Sequence, residues 1–182
     1  VKLGLTVLEG EVTRHAGHVP PHLTILDPGA GEGAWGHGLV VDSFPRSRLL
    51  VGVERRPVAQ PQGYDRWVTA DYLEWAQRCP PAVFDLVVGN PPYDEPRGSY
   101  SAELFIRASL RLLKPGGFLL FLLKLTFLQS RRRADALFLE HPPVSVTVCK
   151  SRPRFTGPGN PDSYAFYCWR KGFTGEPRLA WI

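Results

Sequence analysis

Seven short apolar runs, at residues 23–26, 49–53, 67–69, 84–88, 118–123, 145–149 and 164–169, punctuate the chain. Runs of this length, rich in branched and aromatic residues and bounded by polar or proline-rich stretches, predict strands. Between them, segments 34–41, 72–78, 102–113 and 126–138 space their apolar residues at helical intervals. Lys114-Pro115-Gly116-Gly117 places a cation, a proline and two glycines where the third of these helices should stop. Alternation of strand and helix predicts right-handed βαβ units: an α/β fold whose mostly parallel, Rossmann-like, seven-stranded sheet has helices on both faces. Only the Pro- and Gly-rich residues 151–163 separate the last two strands, which predicts one antiparallel strand at the sheet edge. Residues 1–22 carry the weakest pattern and predict a short helix or loop packing over the site.

A length of 182 residues suits one domain with a self-sufficient core. We divide it into an N-terminal segment at 1–22 and two halves, 23–90 and 91–182, with no separate recognition domain. The longest apolar run ends at Lys124, far short of the ~20 residues of a membrane-spanning helix. With no leader pattern at the start, a soluble cytoplasmic protein without membrane contact is expected. Cys79, Cys149 and Cys168 lack the paired spacing of a zinc site or redox dithiol and read as reduced structural residues. His15, His18 and His22 share no helical face and read as a solvated loop, so no metal is expected. Charge changes the picture more. Residues 1–90 hold 8 basic against 10 acidic side chains, residues 91–182 hold 14 against 7, and 17 of the 22 cations are Arg. A basic second half built on Arg points to a polyanionic partner.

In an open parallel sheet, ligands bind beyond the carboxyl ends of the strands. The first strand ends in Asp27-Pro28-Gly29-Ala30-Gly31-Glu32-Gly33, just before a helix. Glycines on alternate positions permit positive φ and let a ligand approach the backbone. The second strand ends in Glu54-Arg55, where a carboxylate with two acceptor oxygens suits the two hydroxyls of a ribose. The third ends in Asp71-Tyr72, an acid able to take a proton from an exocyclic amine beside a ring able to stack. Glu54 and Asp71 also read as helix caps. The fourth, a buried run, stops in Asn90-Pro91-Pro92-Tyr93. Two prolines fix the backbone there and hold the amide and the ring rigidly.

Over residues 22–170 this pattern resembles the class I S-adenosylmethionine-dependent methyltransferases, and more narrowly the Asn-Pro-Pro-Tyr enzymes that methylate the N6 amine of adenine in DNA. The resemblance implies S-adenosyl-L-methionine as cofactor. Asp27, Pro28, Gly29, Ala30, Gly31 and Gly33 would hold its methionine portion, Glu54 and Arg55 its ribose side, and Asp71 and Tyr72 its adenine, with Asn90 closing the site. Asn90, Pro91, Pro92 and Tyr93 would be catalytic. An aromatic amine is a poor nucleophile because its lone pair is delocalised. The Asn90 oxygen and the Pro91 carbonyl, both accepting its hydrogens, would localise that pair and aim it at the methyl group, while Tyr93 stacks on the base.

A base taken from a duplex must be flipped out, and a second ring offsets part of the cost. Phe155 stands where the family often supplies that ring, and Arg152 and Arg154 beside it suit phosphates. Arg131, Arg132 and Arg133 cannot share one helix face and read as solvated, or more boldly as phosphate contacts. Nucleic acid is thus the expected partner, DNA ahead of RNA, with a homodimer or partner subunit supplying target recognition. The same motif is compatible with N6-adenine methylation of ribosomal or transfer RNA, with glutamine methylation of release factors, and with a silent binding subunit. No cysteine follows a proline as a cytosine-C5 mechanism would require.

Overall fold

The computed structural model describes residues 1–41, 47–92, 99–151 and 162–182. Its elements run α1 (Lys2–Ala16), β1 (His22–Pro28), α2 (Ala34–Val41), β2 (Ser47–Glu54), β3 (Arg66–Thr69), α3 (Tyr72–Arg78), β4 (Phe84–Gly89), α4 (Ser99–Leu112), β5 (Leu113–Lys124), β6 (Ser145–Val148), β7 (Tyr164–Arg170) and β8 (Arg178–Trp181). Among the described residues the strands form one sheet in the order β3-β2-β1-β4-β5-β7-β6-β8. Strands β1 to β5 pair in parallel. β7 runs against both β5 and β6, and β8 lies parallel to β6. The α/β class therefore holds with two refinements. An eighth strand is added, and the reversed strand sits between β5 and β6 rather than at the rim.

Side chains on successive strand residues point to opposite faces, and the two cores show it. Phe118, Leu120 and Leu122 of β5 join Phe166 and Cys168 of β7 beneath α1 and α2, with Leu5, Leu8, Val12, Trp35 and Leu39 from the helices. Leu119, Phe121 and Leu123 join Tyr167 and Trp169 on the other face, beneath α3 and α4, with Ala76, Ile106 and Leu110. Asp85 fastens the edge away from the strands' carboxyl ends. It accepts a 2.8 Å bond from the Thr24 amide and two 2.9 Å bonds from Lys114 Nζ, which joins β1, β4 and β5.

Three expectations are corrected. Residues 2–16 form a full helix, α1, packed on the sheet beside α2: a Cβ added to Gly4 would collide with Trp35 and Phe166. His15 lies in that helix, 3.7 Å from Glu11, with its ring 5.8 Å from that of Phe173, and not in a solvated loop. The stretch after β5 is not one helix. A 3-10 turn, Leu125–Leu128, precedes a helical turn, Arg131–Arg133, that runs into a π turn, Ala134–Phe138. Its three arginines part company. Arg131 is exposed beside Asp135, and Arg132 meets buried Glu103 at 2.5 Å. Arg133 is buried, donating to the Phe127 carbonyl and lying 4.5 Å from the centre of its ring. No helix among the described residues is long and apolar enough to cross a membrane.

Candidate functional site

A cleft of about 1050 Å³ opens at the carboxyl ends of β1 to β4 and runs between α3 and α4. Gly29, Gly31, Glu54, Arg55, Asp71, Tyr72, Asn90 and Pro92 all line it, so residues far apart in the sequence share one cavity. The turn after β1 is locked from beneath. The Gly29 and Ala30 amides donate to the Val53 carbonyl at 2.8 and 3.0 Å, and the Gly33 amide donates to the Ala30 carbonyl. Gly31 and Gly33 take φ of 59° and 83°, where a side chain is strained, and a Cβ on Gly33 would lie 2.5 Å from Pro61.

Glu54 is buried and ties this turn to the end of β2. Its Oε2 accepts the Gly31 amide at 2.8 Å, and its Oε1 accepts the Arg56 amide and Arg56 Nε, each at 3.0 Å. Burial pushes its carboxyl up, but the donors from Arg56 and Gly31 outweigh it and hold the group below its ordinary value. With its Gly29, Ala30, Gly31 and Gly33 amides spent and a carboxylate against it, the turn is poorly suited to cradle a phosphate. That disfavours a dinucleotide or a nucleoside triphosphate.

Asp27 lies beneath the turn, 1% exposed. The Tyr64 hydroxyl donates to its Oδ2 at 2.5 Å and itself accepts the Gly36 amide. Oδ1 is buried and has no hydrogen-bond partner among the described residues. Burial pushes the Asp27 carboxyl up to about 7; the Tyr64 bond opposes this, and the Glu54 charge adds to it. Tyr64, held edge-on to Trp67 at 5.0 Å, is a site residue that sequence reasoning missed. Its one signal is a lone aromatic in the polar stretch Gln60-Pro61-Gln62-Gly63.

Asp71 caps α3, its Oδ1 accepting the Leu73 and Glu74 amides at 2.9 and 3.1 Å. Oδ2 accepts nothing among the described residues. Tyr72 borders the cleft but is nearly buried. Its hydroxyl pairs with Ser109 Oγ at 2.9 Å, its ring lies 4.7 Å from Phe105, and burial pushes its phenol upward. Ser101, Leu104 and Phe105 of α4 complete that wall and were likewise unforeseen. Asn90 is exposed at the end of buried β4 and makes no hydrogen bond among the described residues; Pro91 is buried behind it. A Cβ on Gly29 would lie 3.8 Å from Pro92 Cδ, so the glycine turn and the Asn-Pro-Pro segment meet. Tyr93, Arg152, Arg154 and Phe155 lie outside the described residues.

No protein-family model and no curated protein matches the chain. Its fold does match solved structures. A Listeria monocytogenes protein described as a class I S-adenosylmethionine-dependent methyltransferase aligns over 99% of this chain at 16% identity, with a TM-score of 0.68. The chain spans 64% of that protein's length. The 1,6-didemethyltoxoflavin-N1-methyltransferase of Burkholderia thailandensis, solved with S-adenosylhomocysteine, aligns over 92% of this chain and 78% of its own at 16% identity, TM-score 0.59. A protein of Vibrio vulnificus described as the modification subunit of a type I restriction enzyme aligns over 100% of this chain and 51% of its own at 14% identity, TM-score 0.60. The fold is that of the class I methyltransferases.

Proposed function

We propose that this chain transfers a methyl group from S-adenosyl-L-methionine to the exocyclic N6 amine of adenine, in DNA ahead of RNA. The observation that carries the reading is Asn90: an exposed amide with no hydrogen bond among the described residues, at the end of a buried strand and in one cleft with the glycine turn, Glu54 and Asp71. Its oxygen and the Pro91 carbonyl accept the hydrogens of the target amine and localise its lone pair, and Tyr93 stacks on the base.

The residues present fit the cofactor. Asp27 is buried beneath the turn and outside the cleft lining, so it shapes the turn through Tyr64 and the open acceptors of the cleft lie on Glu54 and Asp71. Glu54 faces a ribose diol and Asp71 Oδ2 an adenine amine. When bound, the cofactor supplies the electrophilic methyl. No residue need act as a strong base.

Two features favour a nucleic acid as the other substrate. Of the cations that follow the end of β5, Lys124 and Arg132 are paired with Asp162 and Glu103, and Arg131, 94% exposed in its side chain and 3.4 Å from the exposed Asp135, is the one best placed to meet a phosphate. The connection carrying Arg152, Arg154 and Phe155 leaves β6 and enters β7 at that same edge. The fold shared with a restriction-enzyme modification subunit is in keeping with DNA and with a partner subunit that selects the sequence. The test is transfer of radiolabelled methyl to single-stranded DNA, duplex DNA, RNA and release factor, followed by nucleoside analysis. N6-methyladenine from DNA is expected. Label confined to RNA or protein would overturn the substrate and keep the mechanism, and no label on any of them would overturn both.

A further inference from the structure

Glu54 has too few open acceptor positions for the task the proposed function gives it. An ionised carboxylate offers about four lone-pair sites, two on each oxygen. Oε2 spends one on the Gly31 amide, and Oε1 spends both on the Arg56 amide and Arg56 Nε. A ribose diol gripped across both oxygens needs one site on each. Oε2 has one left and Oε1 has none.

The three donors are not equally fixed. Gly31 and the Arg56 backbone belong to the locked turn and to the end of β2. The Arg56 side chain is 53% exposed and is the one donor that rotamer change alone can withdraw. Its guanidinium also reaches over the turn, with Nη2 3.8 Å from the position a Cβ on Gly31 would occupy. It therefore lies across the approach to the acceptor that the ligand must use.

We infer that the Arg56 side chain is an internal competitor for the ribose site, a plug that occupies Glu54 Oε1 in the free protein and must swing out when a vicinal diol binds. The inference rests on the cofactor reading above and adds a device to it. The plug lowers affinity for the diol while keeping the buried Glu54 solvated by a charge until the ligand arrives. Arg56→Ala removes the side-chain donor and retains the backbone donor, so Glu54 keeps a partner on each oxygen.

Calorimetric titration of the full chain and of Arg56→Ala with S-adenosylhomocysteine and with its 2′,3′-dideoxy derivative tests this. Release of a half-exposed ion pair should tighten S-adenosylhomocysteine binding by roughly two- to fivefold. The dideoxy derivative, with no diol to compete, should show no gain. Equal or weaker binding of S-adenosylhomocysteine by Arg56→Ala would overturn the plug alone and make Arg56 a bystander or a ligand contact. An equal gain for both ligands would also overturn it, pointing to charge rather than competition for Oε1. Failure of both proteins to bind either ligand would overturn the cofactor reading and the plug with it. Arg56→Met, which keeps the aliphatic stem over the turn but carries no donor for Glu54 Oε1, checks that any effect of alanine is not misfolding: its S-adenosylhomocysteine affinity should move in the same direction.

Discussion

Asn90→Ala removes the side-chain oxygen at the end of β4 and leaves the glycine turn, Glu54 and Asp71 in place. Methyl transfer should fall by roughly 10²-fold or more, while S-adenosylhomocysteine affinity stays within about twofold of wild type. Parallel loss of both, read by calorimetry and a labelled-methyl assay, would make Asn90 a cofactor residue instead. Asp71 has two tasks that substitution can separate. Asp71→Ala loses the cap of α3, costing about 1 kcal/mol of stability, as well as the acceptor Oδ2. Asp71→Asn keeps the cap but turns the outer group into a donor. If Asp71 binds the cofactor's adenine, both variants bind it more weakly while only alanine lowers the melting temperature. Asp27 adds a pH signature. Its folded value near 7 lies above the unfolded 3.8, so between these values the unfolded chain ionises while the folded one holds its proton. This group's contribution to stability is therefore full below about pH 4 and lost as pH rises to 7. Thermal melts of Asp27→Asn should be flatter than wild type across that window.

Elements reveal which signals the sequence carried. β1, β4 and β5 are legible because each must bury residues on both faces, which leaves unbroken apolar runs. The acids at the ends of β1 to β3 are legible because an open parallel sheet gathers its strand ends at one edge. α1 is obscured by its own packing: Gly4 is there because Trp35 and Phe166 press on the helix, and Glu11 is buried because Arg178 of β8 pairs with it. Both look like surface or loop residues until the partner is known. β8 is a four-residue strand with Leu179 and Trp181 exposed, so it lacks an inward stripe to read. The stretch after β5 breaks its helical spacing because the Arg133 guanidinium turns inward to the Phe127 carbonyl, a contact no periodicity encodes. Tyr64 and Arg56 escaped notice for the same reason, since each acts through a partner distant in sequence or through geometry alone. Fully buried Leu8 tests the claim that α1 is part of the core. Leu8→Ala should lower unfolding free energy by about 2–5 kcal/mol in urea melts, and a change under 1 kcal/mol would make α1 an appendage.

For the molecule as a whole, the direction of β7 matters most. Strands β1 to β5 end at the sheet edge that carries the cleft, β6 ends at that edge too, and β7, being reversed, begins there, with Val148 opposite Ala165 and Lys124 opposite Tyr164. The connections after β1, β3, β4 and β5 cross the sheet and come back through helical segments, so their lengths are tied to how those segments pack. The connection between β6 and β7 has no such duty. The entropy of closing a chain between two fixed points grows with the logarithm of its length, about 0.6 kcal/mol for each doubling. New sequence can therefore accumulate between these two strands at almost no expense to the fold, starting from the sheet edge that carries the cleft. The reversed strand gives the scaffold a place where sequence can be acquired, enlarged or exchanged while the strand ends that line the cleft stay as they are.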